Sequence, residues 1–530
     1  MLFASYEFVL FILVVFILYY LIPKKCQWGL LLIASLFFYY MADPRYLIFI
    51  VVTAMTVYGC GYRIGTLASG SKAYLKNNKE AMSKEDKKAY KAGVKKKQWH
   101  TLLLGLLFNL AILAVIKYTN FTIRNINAIG HVFGMAKELP FVNLLMPMGI
   151  SFYTFQALGY LIDCYRGTVE PEKNPFKFLL FVSFFPQLVQ GPISRFADLS
   201  KTLYEPHRFQ WRNISFGMQR ILFGYFKKLV LADRMVIAVN EIIHNPEQYS
   251  GAYVFMGMLF YALELYADFT GGIDITIGIA EVMGIKVTEN FNRPFFSKSI
   301  KEYWNRWHIT MGSWFTDYIF YPVTVCKPML KFSKFSRAHF GEAVGKRLPV
   351  YLSSFLVWFA TGIWHGASWN FIVWGLGNWV VIMISQELEP LYRRFHSRFQ
   401  VKDKWLFQLF QIVRTFLIMS SLRTFDCYRD VPLTFRMFGT IFTKGNWNIL
   451  FNGALLQLGL TTADYIILLL GVVILIVVSL VQRSGSVREK LQKKPYPVRY
   501  VLFLLLFVVI LVFGAYGNGY DASQFIYNQF

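Results

Sequence analysis

Gly362-Ile-Trp-His-Gly-Ala-Ser-Trp369 sets a histidine, His365, inside an apolar run that extends from about Pro349 to Gln386. One crossing of a hydrocarbon core takes roughly 20 apolar residues, so the run reads as two membrane helices. Pro349 follows a basic loop, and His365 comes sixteen residues later. Along a helix that is roughly 24 Å, past the bilayer midplane and towards the outer face. Gly362 and Gly366, four apart, let another helix pack closely. Trp364, Trp369, Trp374 and Trp379 recur every five residues, a spacing that rotates around a helix instead of forming one stripe. An ionisable group in hydrocarbon is costly and usually has a task or a partner. Imidazole also exchanges a proton near neutral pH. Read locally, His365 is either the proton acceptor of a transfer reaction or a structural histidine bonded to a carbonyl, and the two readings stand even.

The rest of the composition agrees with a membrane protein. Of 530 residues, 55% are hydrophobic and 18% aromatic, and the mean hydropathy is +0.41. The apolar runs are continuous, not alternating, which selects an all-α polytopic protein over a β-barrel. A net charge of +25 suggests nucleic-acid binding. That class is excluded because the excess sits in loops between apolar segments, where the positive-inside rule expects Lys and Arg. Cys26, Cys60, Cys164, Cys326 and Cys427 are scattered and suggest neither a disulfide framework nor a metal site. The first apolar run, Leu2 to Ile22, lacks a basic n-region and a cleavage site and reads as a retained span.

Further spans are expected at about Trp28–Met41, Tyr46–Gly61, Thr101–Tyr118, Leu145–Ile162, Phe176–Val189, an interrupted Ile214–Ile243, Ala252–Gly284, Leu406–Leu422, Tyr465–Val481 and Val501–Phe513. The total is eleven to thirteen, within one integral-membrane domain over 1–530. Gly271-Gly272 favours a break in the Ala252–Gly284 segment, which would then line a cavity. Lys72 to Lys97 holds ten lysines against three acidic residues. It reads as a solvated cytoplasmic helix or flexible loop that sets topology. Basic loops at Lys327–Arg347, Arg393–Lys404 and Arg483–Arg499 fall on the same side, with both termini outside. The remaining histidines (His100, His131, His207, His244, His339, His396) are placed mostly in loops and lack ligand spacing, so no metal is expected.

Three other segments carry chemistry. Asn290 to Tyr321 packs Asn292, Arg293, Trp304, Arg306, Trp307 and His308 closely together. Arg293 and Arg306 suit the anionic groups of a phosphopantetheine or coenzyme A donor, but the local pattern favours an interfacial amphipathic helix. Glu264 and Asp268 share a helix face, with Asp274 beyond them. These carboxylates either relay ions or bond the backbone at the glycine break, and the structural reading is favoured. Met146 to Gln156, continuing to Asp163–Gly167, is polar and aromatic and weakly specific by itself.

Taken together, MPMGISFYTFQ (146–156), FPQLVQGPI (185–193), YADFTGGIDITIG (266–278), the run from Asn290 to Pro322, GIWHGASWNFIVWG (362–375) and FIYNQF (525–530) resemble the membrane-bound O-acyltransferase family, in family order. The pair RWHIT (306–310) and GIWHGASW (362–369) is specific; the rest corroborates. The bacterial alginate O-acetylation branch is the nearest, and the family core is placed at 141–380. Two departures leave the acceptor open: YADFTGGID replaces the usual DFSGYSD wording, and FIYNQF has Asn where Phe is common.

The resemblance implies catalytic roles for His365 and His308. It also implies a helical bundle with re-entrant segments and a central tunnel, in a bacterial inner membrane. Trp364, Ser368 and Asn370 join Asn292, Arg293, Trp304, Arg306 and Trp307 as donor or tunnel-lining candidates. It implies no permanently bound cofactor. An acyl thioester, acetyl-CoA or an acyl carrier protein, is the donor, and an exported polysaccharide the acceptor. An extracytoplasmic acyltransferase partner is expected. D-alanyl transfer towards teichoic acid is the alternative within the family. A proton- or ion-coupled transporter using Glu264, Asp268 and Asp274 is the rival from another class, weakened by the lack of inverted repeats.

Overall fold

The computed structural model describes residues 5–135 and 137–516; FIYNQF and the C-terminal residues from 517 onwards lie outside them. Among the described residues the regular structure is helical, and no strand forms. The fold is the expected all-α one. Among the described residues, six helices are long and apolar enough to cross a membrane: Tyr46–Asn77, Lys84–Val132, Ala252–Val282, Trp405–Tyr428, Thr462–Gln482 and Tyr496–Phe513. A seventh arises if Trp369–Glu387 and Glu389–Arg398, bent by 46°, count as one span.

The count falls below eleven to thirteen because several apolar runs are cut short. The described part of the first run forms a 16-residue helix, Tyr6–Leu21, started by Ser5, whose hydroxyl accepts from the Phe8 amide. Leu145–Ile162 becomes helical only at Ile150. Gly149 before it has φ +72° and lies so close to the Leu188 carbonyl that no Cβ fits. Phe176–Val189 is two short helices, Pro175–Ser183 and Phe185–Leu188. The Pro349–Gln386 run is two helices, Arg347–His365 and Trp369–Glu387, as its length suggested.

The chain divides into two compact units. The first holds residues 1–214 and 280–288. Its basic segment takes the helical alternative. One helix ends at Asn77, and the next starts at Ser83 with a capping box to Asp86. The Tyr74 and Tyr90 rings stack across the turn at 4.6 Å. Of the six remaining histidines, expected mostly in loops, only His207 lies outside a helix.

The second unit holds residues 215–279 and 289–530. The interrupted segment, in this unit from Ser215 onwards, comprises Trp211–Tyr225, a π-helical stretch Phe226–Ala232, and Asp233–His244. The facing helix, Ala252–Val282, is continuous. Gly271-Gly272 therefore does not break it. A Cβ on Gly271 would stand 2.9 Å from the Gly224 carbonyl oxygen, and one on Gly278 would stand 2.8 Å from that of Gly217. The glycines permit two backbones to touch, and helix hydrogen bonds offset the missing side chain. This helix is 67% buried over its most apolar window, against 6% for Tyr496–Phe513. The latter presents Leu504, Leu505, Phe507 and Val512 outwards, a surface suited to lipid.

Replacing Gly271 by Ala forces that close contact apart and is expected to destabilise the protein by about 1–3 kcal/mol. Gly93→Ala, with nothing within 4 Å of the new Cβ, gains up to ~1 kcal/mol in helix propensity. Thermal unfolding of the two variants in detergent should move in opposite directions.

Candidate active site

The segment carrying His308 does not form one amphipathic helix. A short helix, Ile300–Arg306, starts at Ser299, whose hydroxyl accepts from the Glu302 amide. The chain then turns sharply at His308, with φ 48°, into Ile309–Phe315. Phe291 and Trp307 form an isolated antiparallel bridge. The Asn292 amide donates to the Arg306 carbonyl at 2.9 Å, and the Ile309 amide to the Asn290 carbonyl at 2.9 Å. Arg293, at φ 49°, flanks the same bridge. Such left-handed geometry costs about 1–3 kcal/mol per residue and clusters at functional sites.

Asn290 fixes the His308 ring. Its Oδ1 accepts from the Thr310 amide at 3.1 Å and from the Thr310 hydroxyl at 2.9 Å, and lies 3.2 Å from His308 Nδ1. A backbone amide can only donate, so the Asn290 atom is the oxygen. His308 Nδ1 must then carry the hydrogen, which puts the lone pair of the neutral ring on Nε2. The sequence reading selected Asn292, which is exposed; the neighbour that holds His308 is Asn290.

His365 is the last residue of its helix, and Gly366 continues in extended conformation. Gly362 lies against Trp369–Glu387: a Cβ there would stand 2.6 Å from the Phe371 carbonyl oxygen. A Cβ on Gly366 would collide with the Phe371 ring. The glycine spacing thus works as read, with the next helix as partner. Of the tryptophans, Trp364 and Trp374 are buried and Trp369 is 56% exposed, so they form no stripe.

The structure brings the two histidines together around one indole. The Trp364 centroid is 6.1 Å from that of His308 and 5.1 Å from that of His365. His308 also meets Phe269 at 4.9 Å, and His365 meets Trp374 at 4.6 Å. The rings are 0% and 5% exposed.

The same shell contains a charge that sequence reading missed. The Arg423 guanidinium carbon lies 4.6 Å from Trp374, 5.2 Å from Trp307 and 5.8 Å from Trp304. Its Nη1 donates to Asp426 Oδ2 at 2.9 Å, with both side chains 5% exposed. The expected span ended at Leu422, but the helix continues to Tyr428 and buries the pair. The signal was present in Arg423-Thr-Phe-Asp426, opposite charges three apart. A narrow cleft lies beside Arg423, lined in part by Tyr303, Trp307, Met419 and Ser420.

The other candidates fall into two groups. Trp304 joins the shell through Trp374, at 5.9 Å. Asn370 is buried and donates to the Phe425 carbonyl at 3.2 Å. Ser368 precedes the Trp369–Glu387 helix, half-buried. Arg306 pairs with Glu302 at 2.6 Å, and Arg293 donates to the Ser479 carbonyl at 3.1 Å.

The carboxylates of the Ala252–Val282 helix face the π-helical lysines. Lys228 bridges Asp268 at 2.6 Å and Asp233 at 2.8 Å. Asp274 takes Lys227 at 2.6 Å and Arg220 at 2.9 Å, and Arg220 also holds Glu289. Asp268 and Asp274 therefore bind cationic side chains of the protein instead of a broken backbone. Glu264, one turn before Asp268, is buried.

The membrane-bound O-acyltransferase family model matches residues 172–425. The probable alginate O-acetylase AlgI of Pseudomonas putida is 31% identical over 457 residues, covering 85% of this chain and 82% of that protein. The chain belongs to the membrane-bound O-acyltransferase family. It is a multi-pass membrane O-acyltransferase of the AlgI-like kind. The peptidoglycan O-acetyltransferase of Helicobacter pylori is 30% identical, covering 71% of this chain and 67% of its own length. The teichoic acid D-alanyltransferase of Bacillus subtilis is 28% identical over 50% of this chain and 63% of its own.

Removing the shared acceptor with Asn290→Ala leaves the Thr310 amide and His308 Nδ1 without it. The expected cost is about 1–3 kcal/mol for a buried unsatisfied donor. Acyl transfer should fall further than the folded fraction does, which size-exclusion yield and specific activity measured together will test.

Proposed function

We propose that this membrane O-acyltransferase moves an acetyl group from a cytoplasmic thioester to hydroxyls of an exported cell-surface polysaccharide, with His365 as general base. The observation that carries the reading is the pairing of His365 and His308 across the buried Trp364 ring. His365 takes the acceptor hydroxyl proton as that oxygen attacks the thioester carbonyl carbon. The C–O bond forms, the C–S bond breaks, and the departing sulfur recovers the proton from the imidazolium. The place of His365 at the C-terminal end of a helix suits the charge it carries between those steps. His308, its tautomer set by Asn290, positions the donor or stabilises developing charge.

The acyl group is argued from the relatives. The proteins named as O-acetylating cover 85% and 71% of this chain, against 50% for the D-alanyl one. A coenzyme A or carrier-protein thioester is the donor, reached from the cytoplasm through a central tunnel. Arg293 and Arg306 stand as candidates for its anionic groups. The setting is a bacterial cytoplasmic membrane, with the N-terminus and acceptor outside and Lys72–Lys97 inside. An extracytoplasmic acyltransferase is a candidate partner. The ion-transport reading loses support because Asp268 and Asp274 are matched by Lys228, Lys227 and Arg220.

His365→Ala is expected to fold and to lose about 10²–10⁴-fold in transfer, the usual contribution of a general base. The assay supplies proteoliposomes with labelled acetyl and D-alanyl thioesters in competition and a hydroxylated oligosaccharide, and identifies by mass the ester formed. Wild-type turnover in the variant would exclude His365 as the base; an aminoacyl ester made in preference to acetyl would redirect the donor.

A further inference from the structure

The Arg423–Asp426 pair has no part in the reaction as drawn above. Yet it is placed where a charge is hardest to keep. Both side chains are 5% exposed on the apolar helix Trp405–Tyr428. A buried ion pair gives little net stability against an apolar packing of the same volume, so its presence points to a use. Its surroundings show what it holds. Three indoles, Trp304, Trp307 and Trp374, lie within 6 Å of the guanidinium carbon. One of these, Trp374, is 0% exposed and makes the shortest ring contact to His365, at 4.6 Å.

From this arrangement we infer that Arg423 is a positioning residue for the transfer reaction. Oriented by Asp426, it fixes the Trp374 indole, and Trp374 fixes the angle of the His365 imidazole. Cation–π attraction strengthens when the cation is desolvated, as here. A planar guanidinium can face several rings while its edge donates to a carboxylate. A lysine ammonium keeps the charge and lacks the plane. Asp426 supplies the direction: its oxygen anchors Nη1 at 2.9 Å, so the plane cannot turn freely. The inference rests on His365 being the base and adds what keeps it aimed.

The test uses the full-length protein in nanodiscs, with turnover expressed per folded molecule. Arg423→Lys and Trp374→Phe are each expected to lower kcat by about ten- to a hundred-fold, the scale of a small misplacement of a reacting group, with KM little changed. Asp426→Asn should act in the same direction. The double variant Arg423→Lys/Trp374→Phe should lose no more than the worse single variant, because both act through one contact. Full kcat in folded Arg423→Lys overturns the inference. So does additivity in the double variant, or a loss confined to KM, which would make Arg423 a substrate-binding group instead. His365→Gln measured alongside separates the two ideas. If it retains wild-type turnover, the base assignment fails. If it is inactive while Arg423→Lys is fully active, only the positioning role fails.

Discussion

Charge taken out of water must be matched by opposite charge within hydrogen-bonding distance, or the helix carrying it will not stay in hydrocarbon. This chain places Lys227, Lys228 and Arg423 where they are almost wholly buried. The ladder of two ion-pair clusters, Asp274 with Arg220 and Lys227 and, separately, Lys228 with Asp268 and Asp233, follows from that demand. The π-helical stretch Phe226–Ala232 is part of the solution. It supplies two consecutive lysines, each with its own carboxylate on the facing helix.

Close approach is what lets the ladder form. Gly224 and Gly217 lie against Gly271 and Gly278, backbone to backbone. With side chains there, the helices would separate and lengthen the pairs that cross between them, those of Asp274 with Arg220 and Lys227 and of Asp268 with Lys228. The histidine pair depends on comparable contacts elsewhere in the same unit. Gly362 and Gly375 bring Arg347–His365 onto Trp369–Glu387, since a Cβ on Gly375 would stand 2.5 Å from the Trp358 carbonyl oxygen. Trp364 and Trp374 are thereby held edge-on against the His365 ring. Small residues set the helix spacing, and large aromatic ones fill what the spacing leaves.

Much of this was legible from local pattern. The two histidine motifs, the two-helix reading of Pro349–Gln386 and the membrane class all rest on apolar run length and on the cost of a titrating group in such a run. The errors have a common origin. Gly271-Gly272 was read as a break because glycine weakens an isolated helix; packing against a second backbone outweighed that. The Asn290–Tyr321 segment reads as an interfacial amphipathic helix because its aromatic and basic residues suit the headgroup level, but the helix ends at Arg306 and the chain turns left-handed at His308. Arg423 is missed because the expected span, which already holds Arg414, stops at Leu422, one residue short of it. A charge ends an apolar run in sequence yet not in space, provided that Asp426 is one turn away.

The sequence alone determined that the chain is helical, crosses a membrane and carries two histidines in motifs of an acyl-transfer family. These are properties of single segments, set by hydropathy, spacing and residue type. Only the tertiary structure decided that His308 and His365 share one indole, that Asn290 fixes the tautomer, and that Lys227 and Lys228 match Asp274 and Asp268. Each of those joins residues at least 18 positions apart in the chain. Partners so distant are selected by close packing and charge matching, which no local stretch records.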